Sequence, residues 1–292
     1  EEIELAIKSN IKQINAESFP EIDNIIRIAN ELKVKVPVAI RVNPDIKVKT
    51  HEKIATGSND TKFGLPIKEA VEIYKKISSE KYITTMGLAI HIGSQIFDIN
   101  EFRLAYENVL SIANSLREEG MDVSNLDLGG GLGVDYQNAS INFKDYGKTI
   151  REVFNTYDYK LSIEPGRSLV ANSGVLVTKI IYIKNSERKN FLIVDGAMND
   201  FIRPTLYNAH HNIEPLIKSK NKELEYDVVG PICETGDYFV KDLKLNQPTE
   251  GQFLAIFSAG AYGSVMSSNY NSRPAAGELL IHNEKIHLLR KQ

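Results

Sequence analysis

The feature that most constrains this chain is an alternation, sustained from its first residues to about Asn172, of short β-branched runs with segments of helical period. A strand that must return parallel to its predecessor needs a long crossover, and a helix is the usual one. Repeated strand-helix steps therefore build a parallel sheet with helices packed against it. The pattern predicts strands over Gln13–Ala16, Pro37–Val42, Gly87–His91, Leu126–Leu128 and Leu161–Ile163. Helices are predicted over Pro20–Leu32, Ile67–Ile77, Glu101–Glu119 and Asp145–Phe154. In the helix from Glu101, apolar residues recur at spacings of three and four from Phe102 to Leu116, an apolar stripe of the kind that covers a sheet. Past Asn172 the helical period fades into strand-like runs, from Val175–Ile183 to Lys285–Leu289. The expected organisation is an α/β domain over 1–172 and an all-β domain over 173–292.

Composition enters by exclusion. The net charge is −3 and no dense Lys/Arg block occurs, which argues against nucleic acid as a partner. No apolar run is long enough to span a bilayer, so no membrane role is expected. Cys233 is the single cysteine, which rules out an intrachain disulfide and points to a reducing, cytoplasmic setting. No metal site is expected: His210 and His211 are adjacent and point apart, and no cysteine pair exists.

Several motifs bear chemistry where strands end, the place where α/β folds gather their active sites. Glu164-Pro165-Gly166-Arg167 sets an anion and a guanidinium after one strand. Gly129-Gly130-Gly131-Leu132-Gly133 follows another, where bare backbone N–H groups can approach a phosphate, although a triple glycine also makes a tight turn. His91-Ile92-Gly93-Ser94-Gln95 follows a third. A carboxylate, an arginine and an amide nest together suggest a phosphorylated, nitrogen-bearing cofactor. In the β domain, Gly230-Pro231-Ile232-Cys233-Glu234-Thr235-Gly236-Asp237 places a thiol beside carboxylates, a candidate proton carrier. Arg203 and Tyr207 follow Gly196-Ala197-Met198-Asn199-Asp200, a stretch that also reads as a polar turn. An arginine fork there matches the two oxygens of a carboxylate.

Taken in order, HIGSQ, LDLGGGLGVDY, EPGRSLVANSG, GAMNDFIRPTLY, GPICETGD and GAYGSVMSSNYNSRP resemble the diaminopimelate decarboxylases, a family of the fold III, alanine-racemase-like pyridoxal-phosphate enzymes. The resemblance runs through nearly the whole chain, although single motifs are shared with ornithine and arginine decarboxylases. It implies a TIM-like (β/α)8 barrel followed by a C-terminal β domain, with pyridoxal 5′-phosphate as cofactor and meso-2,6-diaminopimelate as substrate, decarboxylated to L-lysine. By the same resemblance, His91 stacks on the cofactor ring, while Ser94, Gly129, Gly130, Gly131, Gly166 and Arg167 hold its phosphate. Glu164 pairs with the ring nitrogen, and Cys233 is the proton donor. Tyr262 touches cofactor and substrate, Glu234 meets the substrate amine, and Arg167, Arg203 and Tyr207 read the substrate carboxylate remote from the reacting centre. The family's Cys233–Glu234 loop reaches into the partner's site, which implies a homodimer with shared active sites.

Matched strand by strand, the five predicted strands become barrel strands four to eight. The expectation is then an N-terminally truncated chain, without the cofactor lysine of the first barrel strand and impaired in isolation. Two other readings stay open at the level of sequence. One is an inactive homologue or decoy subunit that pairs with a complete partner; the other is a fold III decarboxylase of ornithine or arginine type.

Overall fold

The computed structural model describes residues 1–46, 62–136 and 142–292. They form two compact units. The first runs to Gly133, resumes before the last of its helices and ends at Gly166. The second comprises 167–292, joined by Val134, Asp135 and Tyr136.

The first unit alternates β1 (Ile14–Ala16), β2 (Val36–Arg41), β3 (Ile83–Ala89), β4 (Asn125–Asp127) and β5 (Lys160–Ser162) with helices. These are α1 (Glu2–Lys8), α2 (Phe19–Leu32), α3 (Ile67–Ser78), α4 (Ile99–Glu118) and α5 (Phe143–Phe154). The five strands pair in chain order and all in parallel. Sequential order is that of a βα barrel, whereas a doubly wound sheet reverses direction partway. Local chemistry sets the helix limits. Ser18 caps α2 by accepting the Glu21 N–H, Pro20 sits in its first turn, and Lys33 ends it in the left-handed region. Asp98 caps α4, whose Phe102 and Tyr106 pack edge-on against Tyr146 of α5.

Side chains show that the sheet curls. Asn15 of β1 donates to Asp127 of β4 at 3.4 Å. In a flat sheet, strands three places apart lie about 14 Å from one another, too far for that bond. Lys12, just before β1, likewise reaches Ser162 of β5 at 2.9 Å. Alternation sorts the strand residues into two faces. Val36, Val38, Ile40, Leu88, Ile90, Leu126 and Leu128 enter the apolar core beneath the helices. The intervening row, toward the concave face, holds Asn15, Arg41 and Asp127, and His91 and Glu164 follow two residues beyond the ends of β3 and β5.

The second unit is a six-stranded sheet in the order β10-β9-β7-β6-β11-β8, antiparallel except where β7 meets β9, plus a hairpin of β12 and β13. Its strands are β6 (Leu176–Asn185), β7 (Asn190–Val194), β8 (Ile213–Pro215), β9 (Glu223–Val229), β10 (Tyr238–Asn246), β11 (Phe253–Ile256), β12 (Glu278–His282) and β13 (Lys285–Arg290). Two differences from the sequence reading concern elements. β8 and β10 were not foreseen: β8 is three residues long, and register shifts together with a left-handed Asp242 break the alternation of β10. The unit is also not purely β, since it holds two short helices, α6 (Arg167–Val170) and α7 (Arg203–Tyr207), so Arg203 and Tyr207 lie on a helix and not on a turn. Residues 167–172, counted with the barrel from sequence, pack with this unit. Gly260 donates to Ala171, and Ser258 to Asn172.

Candidate active site

Because the five strands are parallel and pair in chain order, their C-terminal ends make one rim, which carries Glu17, Arg41, His91, Asp127 and Glu164. The loop leaving β3 is tied to the turn leaving β4. Ile96 N–H donates to Gly131 at 3.0 Å, and Gly133 N–H returns the bond to Ile96 at 3.0 Å. These bonds fix the stretch that carries Ser94.

The triple glycine meets Glu164 directly. Glu164 N–H donates to the Gly129 carbonyl at 2.8 Å, and a Cβ on Gly130 would strike the Glu164 carbonyl oxygen. Gly129 has φ of 66°, and a side chain there would strike the Ile90 carbonyl. Two of the three amides serve the protein itself: Gly129 N–H donates to Asp127 Oδ1 at 3.0 Å, and Gly130 N–H to His91 Nδ1 at 3.2 Å. The second bond assigns the His91 tautomer. Nδ1 accepts, so the neutral ring carries its proton on Nε2. Burial keeps His91 below the ordinary histidine range, and the nearby Arg41 charge pushes the same way. Glu164 is shifted upward, first by partial desolvation and then by the Asp127 carboxylate, with Arg41 opposing. Its side chain nevertheless reaches solvent, and so remains open to a cationic partner.

Sequence reading missed the polar frame behind these groups. Glu17 receives Arg41 at 2.6 Å with one oxygen and Gly64 N–H at 2.8 Å with the other, while Asp127 bridges Asn15 and Gly129. The available signal was alternation. Asn15, Arg41 and Asp127 are each polar between two apolar residues, whereas Glu17 directly follows β1 and precedes the Ser18 cap.

The second unit brings together four of the predicted residues. Arg167 is buried, and its guanidinium lies 4.6 Å from the Tyr262 ring centre. Arg203 is buried too, facing Tyr136 at 5.4 Å and Tyr207 at 6.0 Å. Arg203 Nε donates to His211 Nε2, a residue that sequence reading dismissed as a metal ligand and gave no other role.

Cys233 and Glu234 lie exposed on the loop between β9 and β10. Asp237 anchors that loop: its two oxygens accept Met198 N–H at 2.7 Å and Ile232 N–H at 2.6 Å. Thr205 of α7 donates to Gly236 at 2.6 Å. The neighbouring Glu234 carboxylate weakens the acidity of the Tyr270 hydroxyl. Both line an open cleft of about 300 Å³ with Met198, Asn199, Ile202 and Ser268. Among the described residues no cluster has the makings of a metal site, and no helix is long and apolar enough to cross a membrane.

Comparison with known proteins supplies the context for this geometry. Residues 1–171 match the pyridoxal binding domain of the pyridoxal-dependent decarboxylases. A diaminopimelate decarboxylase of Aquifex aeolicus is 43% identical over 98% of this chain and 69% of its own length. One from Pseudomonas aeruginosa is 44% identical, again over 98% of this chain and 69% of the relative. The crystal structure of the Helicobacter pylori diaminopimelate decarboxylase complexed with L-lysine superposes with a TM-score of 0.95 at 43% identity, covering 99% of this chain and 73% of that one.

Proposed function

The chain belongs to the diaminopimelate decarboxylases, within the pyridoxal-dependent decarboxylases, and we propose from that premise that its two sets of site residues divide the work of converting meso-diaminopimelate to L-lysine. The observation that carries the reading is the adjacency of the glycine turn, His91 and Glu164 on one strand-end rim. These residues fit pyridoxal phosphate. A solvent-reaching carboxylate suits a protonated ring nitrogen, a flat neutral imidazole suits the ring's face, and the space where a Gly166 side chain would stand is empty. When bound, that cofactor supplies an electron sink conjugated to the substrate Cα.

The chain's own residues do the rest. Glu164 holds a proton on the cofactor's ring nitrogen, and His91 packs on the ring. Gly129 and Gly130 contribute shape, since their amides are engaged. Gly131, Gly166 and Arg167 contribute N–H donors to the phosphate, and Ser94 its hydroxyl. Cys233 delivers the proton that replaces carbon dioxide at Cα. Glu234 receives the substrate's remote ammonium, Arg167, Arg203 and Tyr207 its remote carboxylate, and Tyr262 touches both cofactor and substrate. Buried charged groups reject an amino acid that would leave them unpaired, which favours diaminopimelate over ornithine or arginine. We take the protein to be a cytoplasmic homodimer whose Cys233 loops serve the partner's site, with no nucleic-acid or membrane partner.

The test is the cofactor-loaded protein with meso-diaminopimelate. L-lysine and carbon dioxide should form in equal amounts, and Glu164→Gln should slow turnover by about a hundredfold or more while changing cofactor affinity far less. Faster consumption of ornithine or arginine than of diaminopimelate would overturn the reading.

A further inference from the structure

We infer that His211 is a positioning residue that aims the Arg203 guanidinium at a substrate carboxylate, an inference resting on the role proposed above for Arg203. Arg203 is 4% exposed and His211 1%. Arg203 Nε lies 3.1 Å from His211 Nε2, and His211 Nδ1 lies 2.9 Å from the Phe257 carbonyl oxygen. A guanidinium only donates and a carbonyl only accepts, so the imidazole accepts at Nε2 and donates at Nδ1. The ring is wedged edge-on by Tyr136 and Phe201, with centroids 4.9 and 4.6 Å away.

The anchor is part of the sheet. Phe257 directly follows β11, and its own N–H donates to Asn212 at 2.9 Å, next to the Ile256–Ile213 pair of β11 and β8. Backbone pairing thus holds the carbonyl, the carbonyl holds the imidazole, and the imidazole holds one edge of the guanidinium. Burial keeps the ring neutral, with its pKa lowered to about 4, so Nε2 stays an acceptor around neutrality.

The consequence concerns direction. An arginine can grip a carboxylate sidewise, through Nε and one terminal nitrogen, or end-on, through both terminal nitrogens. With Nε given to His211, only the end-on grip is available. The two terminal nitrogens of Arg203 make no hydrogen bond to a described residue. Tyr136 and Tyr207 flank the guanidinium and limit its swing. Substrate selection by Arg203 is therefore set in part by a histidine that need not touch the substrate.

The test compares two ligands on the cofactor-loaded protein by calorimetry. L-lysine keeps the carboxylate remote from the bond that breaks, whereas cadaverine has none. His211→Asn retains a donor for Phe257 but withdraws the acceptor from Arg203; His211→Gln keeps an acceptor near the place of Nε2. His211→Asn should weaken L-lysine binding about ten- to a hundredfold and raise KM for meso-diaminopimelate in parallel, as expected for a buried charged donor left unpaired. Its kcat and its cadaverine affinity should change by less than about threefold, and His211→Gln should recover most of the loss. Equal weakening of both ligands, or equal behaviour of the two variants, overturns the positioning role. His211→Phe gives the same comparison with His211→Gln should the asparagine variant not fold. Arg203→Ala separates the layers. Unchanged L-lysine binding in that variant overturns the role of Arg203, whereas loss there with none in His211→Asn overturns only that of His211.

Discussion

A histidine that gives one nitrogen to a carbonyl and receives a guanidinium on the other has no place for a second proton, and His211 should make stability depend on pH for that reason. Its folded pKa of about 4 lies below the ordinary 6.5, so the unfolded chain binds the extra proton more readily. The stabilisation is complete above about pH 6.5 and is lost as the pH falls toward 4, to a total of about 3 kcal/mol. Urea denaturation at pH 7 and pH 4.5 should show the difference, and His211→Gln should shrink it; an undiminished pH dependence in that variant would refute the assignment. Residues of this kind were invisible in the sequence, where His210-His211 says only that adjacent imidazoles cannot share a metal. Glu164, His91 and the triple glycine were legible, because following a strand is a local property that the hydrophobic pattern reveals. Glu17, Arg41 and Asp127 were not singled out, because their meaning lies in partners dozens of residues away.

Among the elements, the loop between β9 and β10 is tied down by the carboxylate that closes it. Both Asp237 oxygens receive backbone N–H groups, one from Met198 in another loop and one from Ile232 beside Cys233. Asp237→Asn would set an amide NH₂ against one of those N–H groups. It should cost about 1–3 kcal/mol in urea denaturation and lower kcat through disorder of the loop that carries Cys233. Wild-type stability together with wild-type kcat would show that the anchor is dispensable. The same region shows where pattern reading fails. β10 begins directly after this anchor, and its alternation is broken by register shifts that only the pairing with β9 reveals. The long helices α2 to α5 were read nearly to their ends, because capping residues and a 3.6-residue stripe are written into contiguous sequence.

At the scale of the whole molecule, the proposed sharing of active sites makes a sharp demand on mixtures of variants. Glu164→Gln and Cys233→Ala should each be nearly inactive alone. If a loop from one subunit serves the other's site, co-expression should restore about a quarter of wild-type activity, because half of random dimers are hybrids with one intact site. No recovery on mixing would place Cys233 and Glu164 of the same subunit in one site. The concave rim described above also bears on how such a chain can change over generations. Asn15, Arg41 and Asp127 share a face because side chains alternate along each strand. One residue inserted within β4 would turn Asp127 toward the helices and present a leucine in its place. The same insertion between a helix and the next strand would leave the rim untouched. Length variation among descendants should therefore accumulate in the connections, while the spacing inside each strand stays frozen.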